Sequence, residues 1–380
     1  MKRAGIVISV LLSCYLSFSQ HLVRIELREI PSPTPGDTMY VAGSFNGWNP
    51  KDAGTMFRKD GKGTWFTDLT LAPGNYEFKL TRGSWNMAEC SKDGSDIGNR
   101  QLIVDRNTMY EIIVEGWKDR SASKQKQHTA SANVRVIDTA FYIPQLNRKR
   151  RIWVYLPSSY PTDVPYPVLY MQDGQNVFDA ATSFAGEWGV DEYLDSAFGR
   201  KCIVVGIDNG GDKRMNEYCP YDFTLNPNNP KRDKGEGREY ADFLVKTLKP
   251  YIDKHYKTIK GRSGTFIAGS SMGGLISLYA VLAYPKVFGG AGIFSPSVWI
   301  CRDNILALTK HNASKVKSKL FFYAGKQESG DMIPDMLKVF DQLALVSKSK
   351  MTTVIRDDGK HNETAWRKEL PGFFQWIMKK

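Results

Sequence analysis

The stretch "FIAGSSMGGLISLYA", from Phe266 to Ala280, decides the fold. It begins as a short apolar strand, passes through a cluster of glycines and serines, and continues as an apolar helix. Within it, Gly269-Ser270-Ser271-Met272-Gly273 matches the pattern G-x-S-x-G. In that pattern the central serine lies on a strained turn, and the flanking glycines allow neighbouring backbone to approach closely. Ser271 is therefore a candidate nucleophile. The alternative is an ordinary glycine-rich turn.

Apolar strands and helical segments alternate on both sides of this stretch. Eight strands are predicted, at Val134–Ile143, Arg151–Leu156, Pro167–Gln172, Cys202–Ile207, Thr265–Gly269, Gly290–Phe294, Lys319–Tyr323 and Thr352–Arg356. From the third strand onward they are separated by helices, at Glu187–Ala197, Tyr240–Tyr256, Gly274–Tyr284, Ile305–Thr309, Pro334–Val346 and Thr364–Met378. This alternation is typical of a mostly parallel sheet with helices on both faces. The first two strands have no helix between them, which predicts an antiparallel start.

A serine hydroxyl needs a base within hydrogen-bond reach, and the chain has five histidines. His361 alone lies just past a strand end, in "RDDGKHNETAW" after the last predicted strand. His21 and His128 precede the α/β region, and His255 and His311 lie in or after helices. Ligands of an open α/β sheet sit beyond the carboxyl ends of its strands. We therefore predict that His361 is the base.

The acid that orients this base should lie between Ser271 and His361. In α/β sheets that carry their serine in a G-x-S-x-G turn, the triad follows the chain order Ser, acid, His. The segment "LFFYAGKQESGDM" follows the seventh strand and offers Glu328 and Asp331, whereas Asp335 falls in the next helix. Glu328 is preferred because it is nearest the strand end, where loop geometry is best fixed. Asp331 stays open as the alternative.

An oxyanion hole needs two backbone N–H groups aimed at the tetrahedral intermediate. Met272 follows the nucleophile and lies at the amino end of a helix, where the dipole also favours negative charge. The loop after the third strand, "YMQDGQNVFD", supplies the second donor from the amide of Gly174 or Gln175. No C-x-x-C pair exists and no histidine lies near a cysteine at ligand spacing, so neither a metal nor another cofactor is predicted.

From about Val134 to its end, the chain resembles the esterase group of α/β-hydrolases that includes carbohydrate esterase family 1 and enterochelin-esterase-like enzymes. The likeness is carried by "YMQDGQNVFD", "FAGEWGVDEYL", "VVGIDNGGDKRMNEYCPY", "GSSMGG", "GIFSPSVW" and "GKQES…GKHNETAW". The family more often has a histidine where Gln172 stands. The resemblance implies hydrolysis of feruloyl or acetyl esters on plant polysaccharides, of siderophore esters or of thioesters, and some members transfer acyl groups. Five residues either line the acyl pocket or support it: Asn209, Arg214, Glu217, Tyr218 and Trp299.

The first third of the chain has a different character. Between Thr38 and Val114, short alternating runs are separated by turn clusters such as Asn46-Gly47 and Asp60-Gly61. This spacing predicts a small antiparallel, immunoglobulin-like β-sandwich over residues 20–118. The segment "SASKQKQHTASA" has no apolar periodicity, so residues 119–132 are predicted to be a flexible linker. The α/β-hydrolase domain then covers residues 133–380.

Three segments of the sandwich, "YVAGSFNGWNP", "PGNYEFKLTRGSWNMAE" and "DIGNRQLIV", resemble glycogen-binding modules of AMP-activated kinase beta subunits and carbohydrate-binding module family 48. In that family two tryptophans stack on glucose rings while a lysine and an asparagine hydrogen-bond the hydroxyls. The resemblance assigns these roles to Trp48, Trp85, Lys79 and Asn99. Flat aromatic faces suit the apolar C–H patches of a sugar. The alternative is a module that only packs against its enzyme.

The first residues predict export. Met1-Lys2-Arg3 is a positive segment, Ile6 to Leu16 is a short apolar run, and Ser17-Phe18-Ser19 offers small residues before a cut at Gln20. This is the pattern of a signal peptide over residues 1–19, with a periplasmic or secreted product. "LLSC" also resembles a bacterial lipobox, with Cys14 as the lipidated residue. No later apolar run is long enough to span a bilayer.

The formal charge of +12 raises the question of a nucleic-acid partner. The lysines and arginines are scattered, with no basic helix, so a solvated basic surface is expected and nucleic acid is not. One disulfide is open among Cys202, Cys219 and Cys301.

The sequence thus predicts an exported serine esterase that acts on acylated carbohydrate, with polysaccharide bound at the amino-terminal module. The first alternative is a siderophore esterase of the enterochelin type, whose basic surface meets an anionic iron chelate. The second is a non-catalytic glycan-binding protein.

Overall fold

The computed structural model describes residues 20–31, 38–120, 127–184, 186–197, 201–224 and 232–379. The predicted signal peptide 1–19, with Cys14, lies outside the described residues. No described helix combines the length and the apolar character that a membrane span requires. Two parts follow each other along the chain. We name them the amino-terminal module (residues 20–118) and the α/β domain (residues 133–379).

The amino-terminal module is built from β-strands. Its strands are β1 (His21–Glu29), β2 (Tyr40–Gly43), β3 (Arg58–Lys59), β4 (Trp65–Leu71), β5 (Gly74–Thr81), β6 (Glu89–Cys90), β7 (Arg100–Val104), β8 (Thr108–Ile113) and β9 (Gly116–Trp117). They pair as a four-stranded sheet β3-β4-β1-β8, a three-stranded sheet β2-β5-β7 and the pair β6-β9. Apolar side chains from the two larger sheets, among them Val23 and Phe78, form one buried cluster.

The prediction of a purely antiparallel module is wrong at one pair of strands. β1 runs parallel to β8, whereas its other neighbour, β4, is antiparallel. Alternation of apolar residues determines which face of a strand is buried, but it does not determine the direction of the neighbouring strand.

The α/β domain contains all eight predicted strands, with ends that differ by a few residues. They are β10 (Val134–Ile143), β11 (Arg148–Tyr155), β12 (Val168–Gln172), β13 (Ile203–Ile207), β14 (Thr265–Ser270), β15 (Gly290–Phe294), β16 (Lys319–Gly325) and β17 (Lys350–Arg356). Their order in the sheet is β10-β11-β13-β12-β14-β15-β16-β17. β10, β11 and β13 pair antiparallel, and the remaining pairs are parallel. The predicted antiparallel start is confirmed.

Helices cover both faces of this sheet. They are α1 (Val190–Ser196), α2 (Arg214–Tyr218), α3 (Gly237–Phe243), α4 (Lys249–His255), α5 (Met272–Ala283), α6 (Arg302–Asn312), α7 (Met332–Val346), α8 (Glu363–Arg367) and α9 (Leu370–Met378). A π-helical segment, Leu244–Leu248, joins α3 to α4. Along β14, Ile267 belongs to the apolar cluster under α3 to α7, and Phe266 belongs to the cluster under α1, α8 and α9. Opposite faces of one strand thus contribute to two cores.

The second half of the predicted linker lies on the α/β domain. The Nδ1 atom of His128 is 2.7 Å from Oδ2 of Asp179, and the backbone N–H of Ser131 donates to Oδ2 of Asp191 at 2.7 Å. The prediction that residues 119–132 form a flexible linker is therefore wrong for residues 128–131. The polar composition that resembles a tether supplies hydrogen-bond donors to acidic side chains before and within α1.

The four cysteines among the described residues, Cys90, Cys202, Cys219 and Cys301, are all buried, and no disulfide joins them. The thiol of Cys219 donates to the carbonyl oxygen of Tyr221 at 3.2 Å. The disulfide left open by the sequence does not form in this part of the chain.

Candidate active site

Ser271 lies on a strained turn between β14 and α5. Its φ and ψ are 57° and −121°, a conformation that costs energy for a residue with a Cβ atom. Three backbone hydrogen bonds hold it: the N–H of Ser271 donates to the carbonyl of Phe294 at 2.9 Å, and its carbonyl accepts from the N–H groups of Leu275 at 3.0 Å and Ser297 at 3.1 Å. The predicted strained strand-to-helix turn is confirmed.

The glycines around Ser271 are required by the space available. A Cβ at Gly269 would lie 2.8 Å from the backbone of Gly273, and a Cβ at Gly274 would lie 2.6 Å from the carbonyl oxygen of Phe294. A Cβ at Gly273 would lie 3.0 Å from the side chain of Gln172. Side chains at these positions would separate α5 from the sheet, so the glycines allow the close approach that the turn needs.

His361 follows β17, and its Nδ1 atom lies 2.9 Å from Oε2 of Glu328. Glu328 is buried just after β16, and its other oxygen, Oε1, accepts from the N–H of Gly325 at 2.7 Å and from Oγ of Ser295 at 2.8 Å. The side chain of Asp331 is 73% exposed and pairs with an arginine of α6. Of the two acids that the sequence left open, the structure brings Glu328 to the imidazole.

The environment of His361 raises its pKa above the ordinary value of 6.5. Burial alone would lower the pKa, but the hydrogen bond to Glu328 and the charge of that carboxylate outweigh burial. The charges of Glu77 and Glu363 also raise it. Glu77 belongs to β5 of the amino-terminal module.

The loop after β12 forms one 3₁₀ turn, Gly174–Asn176, which follows Asp173 in a left-handed conformation (φ 55°). A Cβ at Gly174 would lie 2.7 Å from the backbone of Ile207, so the turn packs directly on β13. Gln175 is held by its side chain, whose Oε1 accepts from the N–H of Asn209 at 3.0 Å. The first N–H groups of a helix have no partner inside that helix. The 3₁₀ turn begins at Gly174 and α5 begins at Met272, so the first N–H groups of both have no partner inside their own helix.

Three of the five residues predicted as pocket lining or support hold Asp173 behind this turn. Arg214 pairs with the Asp173 carboxylate through Nε at 2.7 Å and Nη2 at 2.9 Å, and Nδ2 of Asn209 donates to it at 2.6 Å. The hydroxyl of Tyr218 accepts from the N–H of Asp173 at 3.2 Å. These contacts favour a role for the three residues in supporting the turn over a role in lining the acyl pocket.

The other two candidates, Glu217 and Trp299, also make their contacts within the α/β domain. Glu217 is fully buried and accepts two hydrogen bonds of 2.7 Å from Nη2 of Arg150. Trp299 is partly buried against the apolar cluster under α3 to α7.

Sequence reasoning missed three residues of the site. Nε1 of Trp366 donates to Oγ of Ser295 at 2.9 Å, and Ser295 in turn donates to the buried carboxylate next to His361. The hydroxyl of Ser297 lies 3.2 Å from that of Ser271. The available signal was "GIFSPSVW", which places both serines just beyond the carboxyl end of β15, where sites on such sheets form.

The residues predicted to bind carbohydrate lie in two settings. The rings of Trp48 and Trp85 are neighbours, with centroids 6.2 Å apart and planes inclined by 43°, and Trp85 is 41% exposed. Lys79 is mostly buried beside an aspartate at 3.7 Å, and burial lowers its pKa. Nδ2 of Asn99 donates to Oε2 of Glu77 at 3.1 Å. The structure thus brings the tryptophans together and ties the lysine and asparagine to acidic neighbours.

One acidic cluster could hold a cation. The carboxylates of Glu187, Asp191 and Glu192 place ligand atoms within 4.8 Å of one another at the start of α1. Burial raises the pKa of Asp191 to about 7. Arg367 already pairs with both glutamates, at 3.5 and 3.7 Å. The guanidinium and the segment 128–131 are therefore the groups that this cluster binds in the structure.

Several known esterases are similar to this chain in sequence or in fold. Ferri-bacillibactin esterase BesA of Bacillus subtilis is 27% identical over 220 residues, which cover 53% of this chain and 75% of that protein. An endo-1,4-beta-xylanase/feruloyl esterase of Xylanibacter ruminicola is 23% identical over 337 residues, 86% of this chain and 42% of that protein. The crystal structure of the enterochelin esterase from Shigella flexneri superposes with a TM-score of 0.52 and 16% identity, over 89% of this chain and 86% of that one.

The superposition on the Shigella flexneri structure concerns the fold alone. This fold is that of α/β-hydrolase-like esterases, with a large mixed sheet and helices. A family model matches residues 143–377, well over half of the chain. The chain belongs to the esterase family described as "Putative esterase".

Proposed function

We propose that this esterase hydrolyses carboxylic esters through a triad in which Ser271 is the nucleophile, His361 the general base and Glu328 the orienting acid. One observation carries the proposal: the contact of 2.9 Å between Nδ1 of His361 and Oε2 of the buried Glu328. A carboxylate at Nδ1 holds the proton on that nitrogen, so the opposite nitrogen, Nε2, is left to accept the proton of a serine hydroxyl.

The chemical steps follow from these roles. Oγ of Ser271 attacks the acyl carbon while Nε2 of His361 takes its proton, and the resulting imidazolium then gives that proton to the leaving alcohol. Water enters next and loses a proton to the same nitrogen, and the imidazolium then returns this proton to Oγ of Ser271 as the acid leaves the acyl-enzyme. The amide of Met272 and that of Gln175 or Gly174 stabilise the oxyanion in both halves. The amino end of α5 adds a favourable dipole.

The proposed substrate is an acylated carbohydrate carrying acetyl or feruloyl esters, met outside the cytoplasm after export. The relative from Xylanibacter ruminicola, whose name includes feruloyl esterase, aligns with 86% of this chain. The neighbouring rings of Trp48 and Trp85, one of them well exposed, offer a stacking surface for a sugar.

A siderophore ester is the second candidate. BesA, an esterase of ferri-bacillibactin by name, aligns over 75% of its own length. The formal net charge of +12 would also attract an anionic iron chelate.

Replacing the nucleophile tests the activity. Ser271→Ala should abolish hydrolysis of p-nitrophenyl acetate and labelling by a fluorophosphonate, read as the mass of the intact protein. The matched control is Ser277→Ala, which removes a buried hydroxyl bonded within α5 at 2.7 Å and should keep both signals. Labelling of a folded Ser271→Ala variant would place the nucleophile elsewhere.

A substrate panel separates the two candidates. Wild-type kcat/KM is measured on acetylated xylan, methyl ferulate and a catecholate trilactone, and Trp85→Ala is then compared on polymeric and soluble esters. On the carbohydrate proposal, Trp85→Ala lowers turnover of the polymer and keeps that of the soluble ester. Met109→Ala, at another exposed apolar position of the module, serves as the control. Preference for the trilactone, with no effect of Trp85→Ala on any polymer, would favour the siderophore candidate.

A further inference from the structure

A second buried glutamate joins the two loops of the proposed site. Glu363 is the first residue of α8, two positions after His361, and only 5% of it is exposed. Its Oε1 accepts a hydrogen bond of 2.9 Å from Nδ2 of Asn176, which lies 187 residues away in sequence. Asn176 closes the 3₁₀ turn that begins at Gly174. The bond thus links the turn with the proposed oxyanion amides to the segment that carries the proposed base.

The other polar groups of Asn176 are already bonded. Its N–H donates to the carbonyl of Asp173 at 2.8 Å, and its carbonyl accepts from the N–H of Trp188 at 2.8 Å. Its Oδ1 accepts from the N–H of Phe184 at 3.0 Å. The side-chain NH₂ is therefore the group that reaches outward to Glu363. On its other side the turn is fixed by Asp173 and its arginine, so Glu363 completes the support.

The surroundings of Glu363 bring charged groups close to it. Its second oxygen, Oε2, is buried and has no hydrogen-bond partner among the described residues. Gly186, with φ of 122°, packs on this side chain, since a Cβ there would lie 3.3 Å from Cβ of Glu363. Burial raises the pKa of Glu363 to about 7, and the charge of Asp173 adds to this, while Asn176 and His361 favour the ionised form. Arg214, on the turn side, also senses its charge.

We propose that Glu363 is a positioning residue, which holds the oxyanion turn through Asn176 in fixed relation to the imidazole of His361. This inference rests on the proposed function. Glu363 acts through Asn176 and does not contact the reacting atoms. Losing the bond should let the turn shift by a few tenths of an ångström. Such a shift weakens binding of the developing oxyanion more than binding of the neutral ester, so kcat should fall while KM changes little.

Truncation and conservative replacement separate this role from plain packing. Glu363→Ala removes the acceptor and should lower kcat tenfold or more, with KM within twofold. Glu363→Gln keeps an acceptor for Asn176 and should recover most of kcat. It also removes a negative charge that raises the pKa of His361, so the acid limb of the kcat/KM profile should move to lower pH. A side chain that only fills space would give neither the recovery nor the shifted limb.

A coupling test and a matched control complete the design. Asn176→Ala should lower kcat as Glu363→Ala does, and the double variant should be no slower than either one, because both remove the same link. Glu369→Ala truncates a glutamate of the same C-terminal region that is 6% exposed and bonded to an arginine at 2.7 Å. It should reduce the melting temperature and keep kcat within twofold.

Two results would overturn the inference: kcat of Glu363→Ala equal to that of Glu369→Ala, or losses from Glu363→Ala and Asn176→Ala that multiply in the double variant. If Glu363→Ala does not fold, Glu363→Gln and Asn176→Ala carry the same test through the pH limb and kcat. Activity that survives Ser271→Ala would instead refute the proposed function. Either failure can thus be told from the other.

Discussion

Exchanging the proposed orienting acid for its amide should nearly abolish catalysis without disturbing the fold. In the wild type, Oε1 of Glu328 accepts from the N–H of Gly325 at 2.7 Å and from the hydroxyl of Ser295 at 2.8 Å, and Glu328→Gln must fill this position with its oxygen or its NH₂ group. The amide oxygen must take this place, because an NH₂ group there would face the N–H donor. The NH₂ group then points at Nδ1 of His361, where the carboxylate now lies at 2.9 Å.

That orientation imposes the wrong tautomer on the base. An imidazole that accepts a hydrogen bond at Nδ1 carries its proton on Nε2, and it cannot take the proton of Ser271. The same exchange in a Ser-His-Asp triad lowers kcat by about 10⁴-fold, which corresponds to about 5 kcal/mol in the barrier. We expect a loss of that order for Glu328→Gln, measured as kcat on p-nitrophenyl acetate, with a melting curve close to that of the wild type.

Asp331→Asn is the matched control, since it makes the same chemical change three residues away. The Asp331 side chain is 73% exposed and its ion pair with Arg302 is long, at 3.5 Å. Such surface pairs contribute little. This variant should keep kcat within twofold. If Asp331→Asn loses as much activity as Glu328→Gln, or if folded Glu328→Gln keeps more than a tenth of wild-type kcat, the assignment of the acid is wrong.

Three further outcomes follow from the contacts. Because the pKa of His361 is raised and the base must be neutral to act, kcat/KM should fall as pH decreases through a value above 6.5, and a limb well below 6.5 would contradict this. Glu77→Gln removes a charge that raises the same pKa, so it should move that limb to lower pH, and an unmoved limb would mean that the module does not act on the site. Gly274→Ala places a Cβ 2.6 Å from the carbonyl of Phe294 and should cost about 2 kcal/mol in urea unfolding. Gly372→Ala, in open space on α9, should stabilise by roughly 0.5–1 kcal/mol, and equal effects of the two substitutions would refute the steric argument.

The sheet of the α/β domain could be predicted because buried parallel strands are short apolar runs between turn signals. The errors at its ends have physical causes. β11 begins at Arg148, three residues before the predicted start, because the charged residues of "RKRR" pair with β10 as part of the same strand. Helix α2 was missed because it is little more than one turn. A buried pair between Glu217 and Arg150 fixes it, and helical periodicity contributes little.

The site was predictable where chain order and strand ends constrain it. The fold orders nucleophile, acid and base, so one serine, two acids and one histidine were enough to propose the set. The network behind it was not predictable, because a hydrogen bond such as that from Trp366 to Ser295 joins residues 71 positions apart. No local pattern marks such a pair.

The segment that follows the amino-terminal module shows why composition alone does not predict the structure of a connecting segment. Serine, threonine and histidine in "SASKQKQHTASA" suit a free tether, because they stay hydrated and bury little apolar surface. The imidazole of His128 and the backbone N–H of Ser131 nevertheless contact Asp179 and Asp191, which lie 51 and 60 residues further along the chain. Residues 128 and 131 are thereby fixed to the α/β domain by acidic side chains that no local sequence pattern could identify as their partners.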